Sequence, residues 1–141
     1  MLKNIPACLS PELLKTLDEM GHGDEIVIGD GNFTGSSIGP KVVRADGIGG
    51  EELLKDILTL IPLDTYSPVN FFLMETTNGD PTPDIWARYD EIASKMEPNT
   101  RKGMIERFAF YERAKKAYCI IQSGETAVYA NIILKKGVVK Q

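Results

Sequence analysis

The sequence predicts an α/β fold, with helices packed around a mixed β-sheet, on three observations. Short β-branched runs end in turn residues, other segments carry apolar residues at helical spacing, and the two kinds alternate along the chain. The 141 residues, 43% of them hydrophobic, suit a single domain over 1–141 with its own core.

Ser10-Pro11-Glu12 reads as a helix start, with serine as N-cap and proline in the first turn, and Leu13, Leu14, Leu17 and Met20 follow at helical spacing. Gly21 or Gly23 ends that helix. Glu25-Ile26-Val27-Ile28 is a strand that delivers Asp30 into a Gly-Asn turn. Val42-Val43-Arg44 is a second strand. A glycine-rich turn leads into a helix with Leu53, Leu54, Ile57, Leu58 and Ile61, closed at Pro62.

Val69 to Met74 is the next strand, the stretch from Asn78 to Pro83 a loop, and Asp84 to Met96 a helix carrying Ile85, Tyr89, Ile92 and Met96. Arg107 to Lys116 is helical, and Tyr118 to Ile121 and Val128 to Leu134 are strands linked through Ser123-Gly124-Glu125. If these two pair directly, so short a link makes them antiparallel.

The formal charge of −4, with acids and bases interspersed, provides no basic field for nucleic acid or anionic membrane. No apolar run approaches the ~20 residues of a membrane span, and the opening Met1-Leu2-Lys3-Asn4-Ile5-Pro6 is too broken to form a signal-peptide core. A cytoplasmic location is expected. Cys8 and Cys119, each beside apolar neighbours, read as buried thiols, and one histidine beside two cysteines supplies no standard transition-metal set. No metal and no cofactor are expected.

Gly47-Ile48-Gly49-Gly50-Glu51-Glu52 places Glu52 where a dinucleotide fingerprint requires its third glycine, and its carboxylates would repel pyrophosphate. No Gly-x-Ser-x-Gly elbow accompanies the single histidine. Arg107 to Arg113 mixes basic and aromatic residues, a pattern that reads as an amphipathic helix with aromatics inward and charges outward.

The residue types left for chemistry are few. His22 stands between two glycines at a helix-to-strand junction, an exposed position suited to an acid–base group or to capping the preceding helix. Asp30 lies near the other end of the following strand and serves an Asx turn or a polar pocket; a folded-back loop or a neighbouring subunit would be needed to join the two. Arg107 and Tyr111, four apart, share a helical face and suit sugar recognition, or else an ion pair and a core tyrosine. Tyr129 and Asn131 project to one side of the predicted last strand and Ala130 to the other, a polar pair for hydroxyl recognition or an edge closure.

Gly21-His22-Gly23-Asp24-Glu25, Arg44-Ala45-Asp46-Gly47, Pro62-Leu63-Asp64-Thr65-Tyr66, Arg107-Phe108-Ala109-Phe110-Tyr111-Glu112-Arg113-Ala114 and Leu134-Lys135-Lys136-Gly137-Val138 closely resemble the L-fucose branch of the fucose mutarotase and ribose pyranase family. The resemblance covers nearly the whole chain. It implies helices about a β-sheet, a ring-shaped homodecamer with active sites completed by neighbouring subunits, and a cofactor-free isomerase that interconverts the α and β anomers of L-fucose. It further implies that His22 is the proton donor, that Asp30, Arg107 and the segment Tyr129-Ala130-Asn131 bind the sugar, and that Tyr111 and Asp64 belong to the catalytic pocket. Fucose-type relatives usually have glycine at the position of Ala130, where the ribose pyranase branch has the Tyr-Ala-Asn form, whereas Arg107 is fucose-like. A D-ribose pyranase and a non-catalytic sugar-binding protein are the alternative expectations.

Overall fold

A computed structural model of the chain describes residues 1–39 and 41–141. Its elements run α1 (Pro11–Glu19), β1 (Glu25–Gly29), α2 (Gly35–Ile38), β2 (Val42–Ala45), α3 (Gly50–Leu60), β3 (Phe71–Met74), α4 (Ile85–Met96), β4 (Lys102–Ile105), α5 (Arg107–Lys115), β5 (Cys119–Ser123) and β6 (Ile132–Lys135). Ser10 caps α1 as its sequence predicts, its hydroxyl accepting from the Leu13 N–H at 3.1 Å.

The six strands form one mixed sheet in the order β2-β5-β1-β6-β3-β4. β5 is parallel to both β1 and β2, β3 is parallel to β4, and β6 runs antiparallel between β1 and β3. The strands β5 and β6 therefore do not pair with each other, because β1 lies between them. β1 takes that central place with three consecutive fully buried residues, Ile26, Val27 and Ile28, the pattern of a strand covered on both faces.

Alternation along the strands divides the core into two layers. Ile26, Ile28, Leu73, Ile121, Ile132 and Leu134 face α1, α3 and α4, packing with Leu13, Leu53, Ile57, Ile85 and Tyr89. Val27, Phe72, Ile120 and Ile133 face the other way, against Phe33 and the α5 residues Phe110 and Ala114.

Two local expectations are revised, and one strand is unexpected. Val128 to Asn131 is not strand: Tyr129 has φ 53°, outside the extended region, and its carbonyl accepts from Trp86 Nε1 at 2.7 Å instead of joining a ladder. β4 is a strand that sequence pattern hides, since Lys102 and Gly103 have low strand preference and the strand lies at the sheet edge. Its glycine is required, because a Cβ there would fall 2.7 Å from Val69 Cγ1. In α5 Phe110 enters the core, but Phe108 is 66% exposed, so the helix lacks the expected inward set of aromatics.

Candidate active site

The carboxyl ends of β1, β3 and β4 meet the amino end of β6 along one edge of the sheet, the edge at which α/β sheets commonly bind ligands. There a cavity of about 350 Å3 is lined by Asp30, Phe33, Asp80, Arg107, Tyr111, Tyr129 and Asn131, with Asn32, Met74 and Val128 completing the wall. Five of the eight residues singled out from sequence thus share one pocket. Ala130, the sixth, is fully buried behind it.

Asp30 is fixed from every side. Its Oδ1 accepts from the Asn32 N–H at 2.9 Å, which is the Asx turn, and its Oδ2 accepts from the Ala130 N–H at 3.3 Å. Its own N–H donates to Asn131 Oδ1 at 2.8 Å, and its carbonyl accepts from Gln122 Nε2 at 2.8 Å. Burial pushes the Asp30 carboxyl above its ordinary range, and the N–H donors of Asn32 and Ala130 pull against that shift. Structural anchoring and pocket lining are here the same residue.

Arg107 begins α5, and one turn later Tyr111 lies beside it: Arg107 Nε donates to the Tyr111 hydroxyl at 3.1 Å, with the guanidinium 5.5 Å from the ring centre. Among the described residues no carboxylate pairs with that guanidinium. The Tyr129 hydroxyl donates to Asp80 Oδ2 at 2.6 Å and lies 2.9 Å from Thr77 Oγ1, tying the 77–80 loop to the pocket.

His22 and Asp64 form a second cluster at the opposite edge. His22 Nε2 is 2.9 Å from Asp64 Oδ1, and the Tyr66 ring stands 5.2 Å from the imidazole. Asp64 is 2% exposed, while the His22 side chain is 45% exposed. The Ser67 hydroxyl, His22 and the Tyr66 N–H hold the Asp64 carboxyl well below its ordinary range. The helix-cap alternative for His22 does not hold, because Lys136 Nζ fills that role, donating to Leu17 O at 3.0 Å and to Met20 O. Within one chain the four residue steps of β1 alone separate the His22 and Asp30 clusters by roughly 13 Å.

The pocket residues Asn32, Phe33, Met74, Asp80 and Val128 carried no recognisable signal in the sequence. Asp80 enters through the turn in which Asn78 and Gly79 adopt φ of 56° and 71°, and no spacing rule points from there to Tyr129. Cys8 is half-buried rather than buried: its thiol donates to Asp56 Oδ2 at 2.8 Å and, with Glu52, forms the one group among the described residues whose atoms could gather about a metal ion. Burial and the Asp56 charge push that thiol up to about 12, which disfavours the thiolate a metal would need. No helix among the described residues is long and apolar enough to cross a membrane.

Comparison with known proteins gives a consistent picture. The sequence pattern of the RbsD / FucU transport protein family matches residues 3–139. Fucose mutarotase of Bos taurus is 51% identical, over 98% of this chain and 94% of that protein. The crystal structure of the fucose mutarotase in complex with L-fucose from Streptococcus pneumoniae superposes with a TM-score of 0.95 at 49% identity, covering 99% of this chain and all of that one. FucU from Bifidobacterium longum has a TM-score of 0.94 at 54% identity, over 98% of this chain and all of that one.

Proposed function

The chain belongs to the RbsD / FucU transport protein family, and we propose that it is an isomerase interconverting the α and β anomers of L-fucose by acid–base-catalysed ring opening and closing. Relatives named for this activity at about 50% identity, and a similar structure that holds L-fucose, support the reading. So does the pocket, whose lining offers a small polyol the donors and acceptors of Asp30, Arg107, Tyr111, Tyr129 and Asn131.

Ring opening transfers the anomeric hydroxyl proton to a base while the bond from the anomeric carbon to the ring oxygen breaks. The ring oxygen keeps the electron pair and takes a proton from an acid. Closure on the other face of the resulting aldehyde reverses these transfers. His22 and Tyr111 are the groups suited to them: imidazole is the side chain whose ordinary acid–base chemistry falls near neutral pH, and Arg107 Nε donates to the Tyr111 hydroxyl and orients it. Asp30, Arg107 and Asn131 orient the sugar through hydrogen bonds, and Asp64 holds the His22 ring.

The observation that carries the assembly is the placement of His22 and Asp30 beyond opposite ends of β1. One chain does not bring both to one sugar, so the active site is formed between neighbouring subunits, with His22 of one facing the Asp30 pocket of the next. This fits a ring-shaped homo-oligomer, a decamer in our reading. The free thiols Cys8 and Cys119 fit a reducing cytoplasm.

Saturation-transfer NMR tests the activity. Irradiating one anomeric proton of L-fucose should deplete the other faster with protein than in buffer. D-Ribose exchanging faster than L-fucose would assign the ribose pyranase reaction, and line broadening without exchange would leave a sugar-binding protein.

A further inference from the structure

Asp64 accepts a hydrogen bond on each oxygen before the histidine is considered. Lys135 Nζ, which has protons to donate and no lone pair, donates to Ser67 Oγ at 2.7 Å. The Ser67 hydroxyl, its lone pair engaged, gives its own proton to Asp64 Oδ2 at 2.6 Å, and the Tyr66 N–H donates to Oδ1 at 3.0 Å. The ammonium lies 4.0 Å from Oδ2.

The loop that carries these groups is tied down. Arg101 Nη1 donates to the carbonyls of Thr65 and Ser67 at 3.0 and 2.9 Å, and Asn70 Nδ2 donates to the Asp64 carbonyl at 2.9 Å. An ionised carboxylate has no proton to give. The proton between Asp64 and His22 therefore sits on His22 Nε2.

We propose that Lys135, relayed through Ser67, is a positioning residue: it offsets the Asp64 charge, so that His22 is held as its Nε2–H tautomer with Nδ1 free for the sugar and still releases the proton it takes up. Without the ammonium, Asp64 would retain an imidazolium more strongly and slow turnover at neutral pH. The other charged groups around this loop have backbone partners of their own, Arg101 in the Thr65 and Ser67 carbonyls. The Asp24 carboxylate accepts from the Gly21 N–H at 2.8 Å, Lys136 is bound to the end of α1, and the Tyr66 ring contributes only its face or edge. The catalytic consequence rests on the function proposed above; the tautomer and the titration do not.

His22 is the only histidine, so protein labelled with 15N in histidine alone gives one imidazole to follow. The full-length oligomer should show a protonated Nε2 and a bare Nδ1 in the neutral form. Lys135→Met should raise the His22 titration midpoint, the effect of removing the positive charge that offsets the Asp64 carboxylate. It should also lower kcat on L-fucose severalfold at pH 7 with little change in KM, while Lys135→Arg restores both. Ser67→Ala, which changes no charge, gives a second reading if Lys135→Met does not fold, and should move the midpoint in the same direction by less. A neutral form protonated on Nδ1, or a folded variant with an unmoved midpoint, would overturn the proposal. If L-fucose does not exchange at all, the proposed function fails while the spectra still decide this inference.

Discussion

The Asn131 side-chain carbonyl accepts the backbone N–H of Asp30 at 2.8 Å, joining positions 101 residues apart at the mouth of the pocket. Both residues are buried, at 4% exposure each. The amide that would hydrogen-bond a sugar on one side thus also fixes the turn that presents the Asp30 carboxylate on the other.

Asn131→Ala should therefore harm fold and site together. A buried N–H left without a partner costs about 1–3 kcal/mol, which denaturant melts will read as a lower midpoint at unchanged slope. Sugar affinity should fall in the same variant, because the Asp30 turn loses its anchor.

Much of this architecture was legible in the sequence, and the exceptions have physical causes. The strand around Ile26-Val27-Ile28 and the helices capped by Ser10 or spaced by Leu53, Leu54 and Ile57 follow local rules. The Tyr129 to Asn131 segment does not, since Trp86, Tyr89 and Asp30, all distant in sequence, take its backbone groups. Arg107 and Tyr111 come together by helical spacing alone. The meeting of His22 with Asp64 across 42 positions is long-range packing that no local pattern encodes, and only the family resemblance pointed to both residues.

Acid stability should separate the two buried aspartates. Asp64 has a folded pKa below its ordinary 3.8, so the stability it contributes is present above that value and lost as pH falls through the folded one. Asp64→Asn should accordingly lessen the acid-side decline. Asp30 has the opposite sign: its folded pKa is raised, so stability falls as pH climbs from 3.8 through the raised value. Asp30→Asn should flatten that fall. Urea midpoints measured from about pH 3 to pH 7 check both, and identical pH slopes in all three proteins would contradict the assignment.

Arg107→Lys keeps the positive charge but loses the planar fork of donors. Among the described residues its exposed side chain hydrogen-bonds Tyr111 alone, so stability should change by less than about 0.5 kcal/mol. KM for L-fucose should rise roughly tenfold or more, the scale of a lost charge-assisted hydrogen bond. Unfolding of the variant would instead assign Arg107 a structural role.

Tyr129→Phe removes the hydroxyl that Asp80 and Thr77 share while leaving the backbone bond to Trp86 in place. The 77–80 loop should loosen, seen as faster amide exchange in that loop with the core unchanged. Sugar affinity should drop by several fold, and wild-type protection in the loop would detach it from the pocket.

Mixed oligomers test the shared site most directly. His22→Ala subunits retain the Arg107 pocket, and Arg107→Ala subunits retain His22, so each homo-oligomer should exchange L-fucose anomers only slightly above buffer. Co-expressed in equal amounts, random pairing joins an intact His22 to an intact pocket at about a quarter of the interfaces. Saturation transfer should then recover to about a quarter of the wild-type rate per site. A mixture no more active than its two parents would contradict a site built from two subunits.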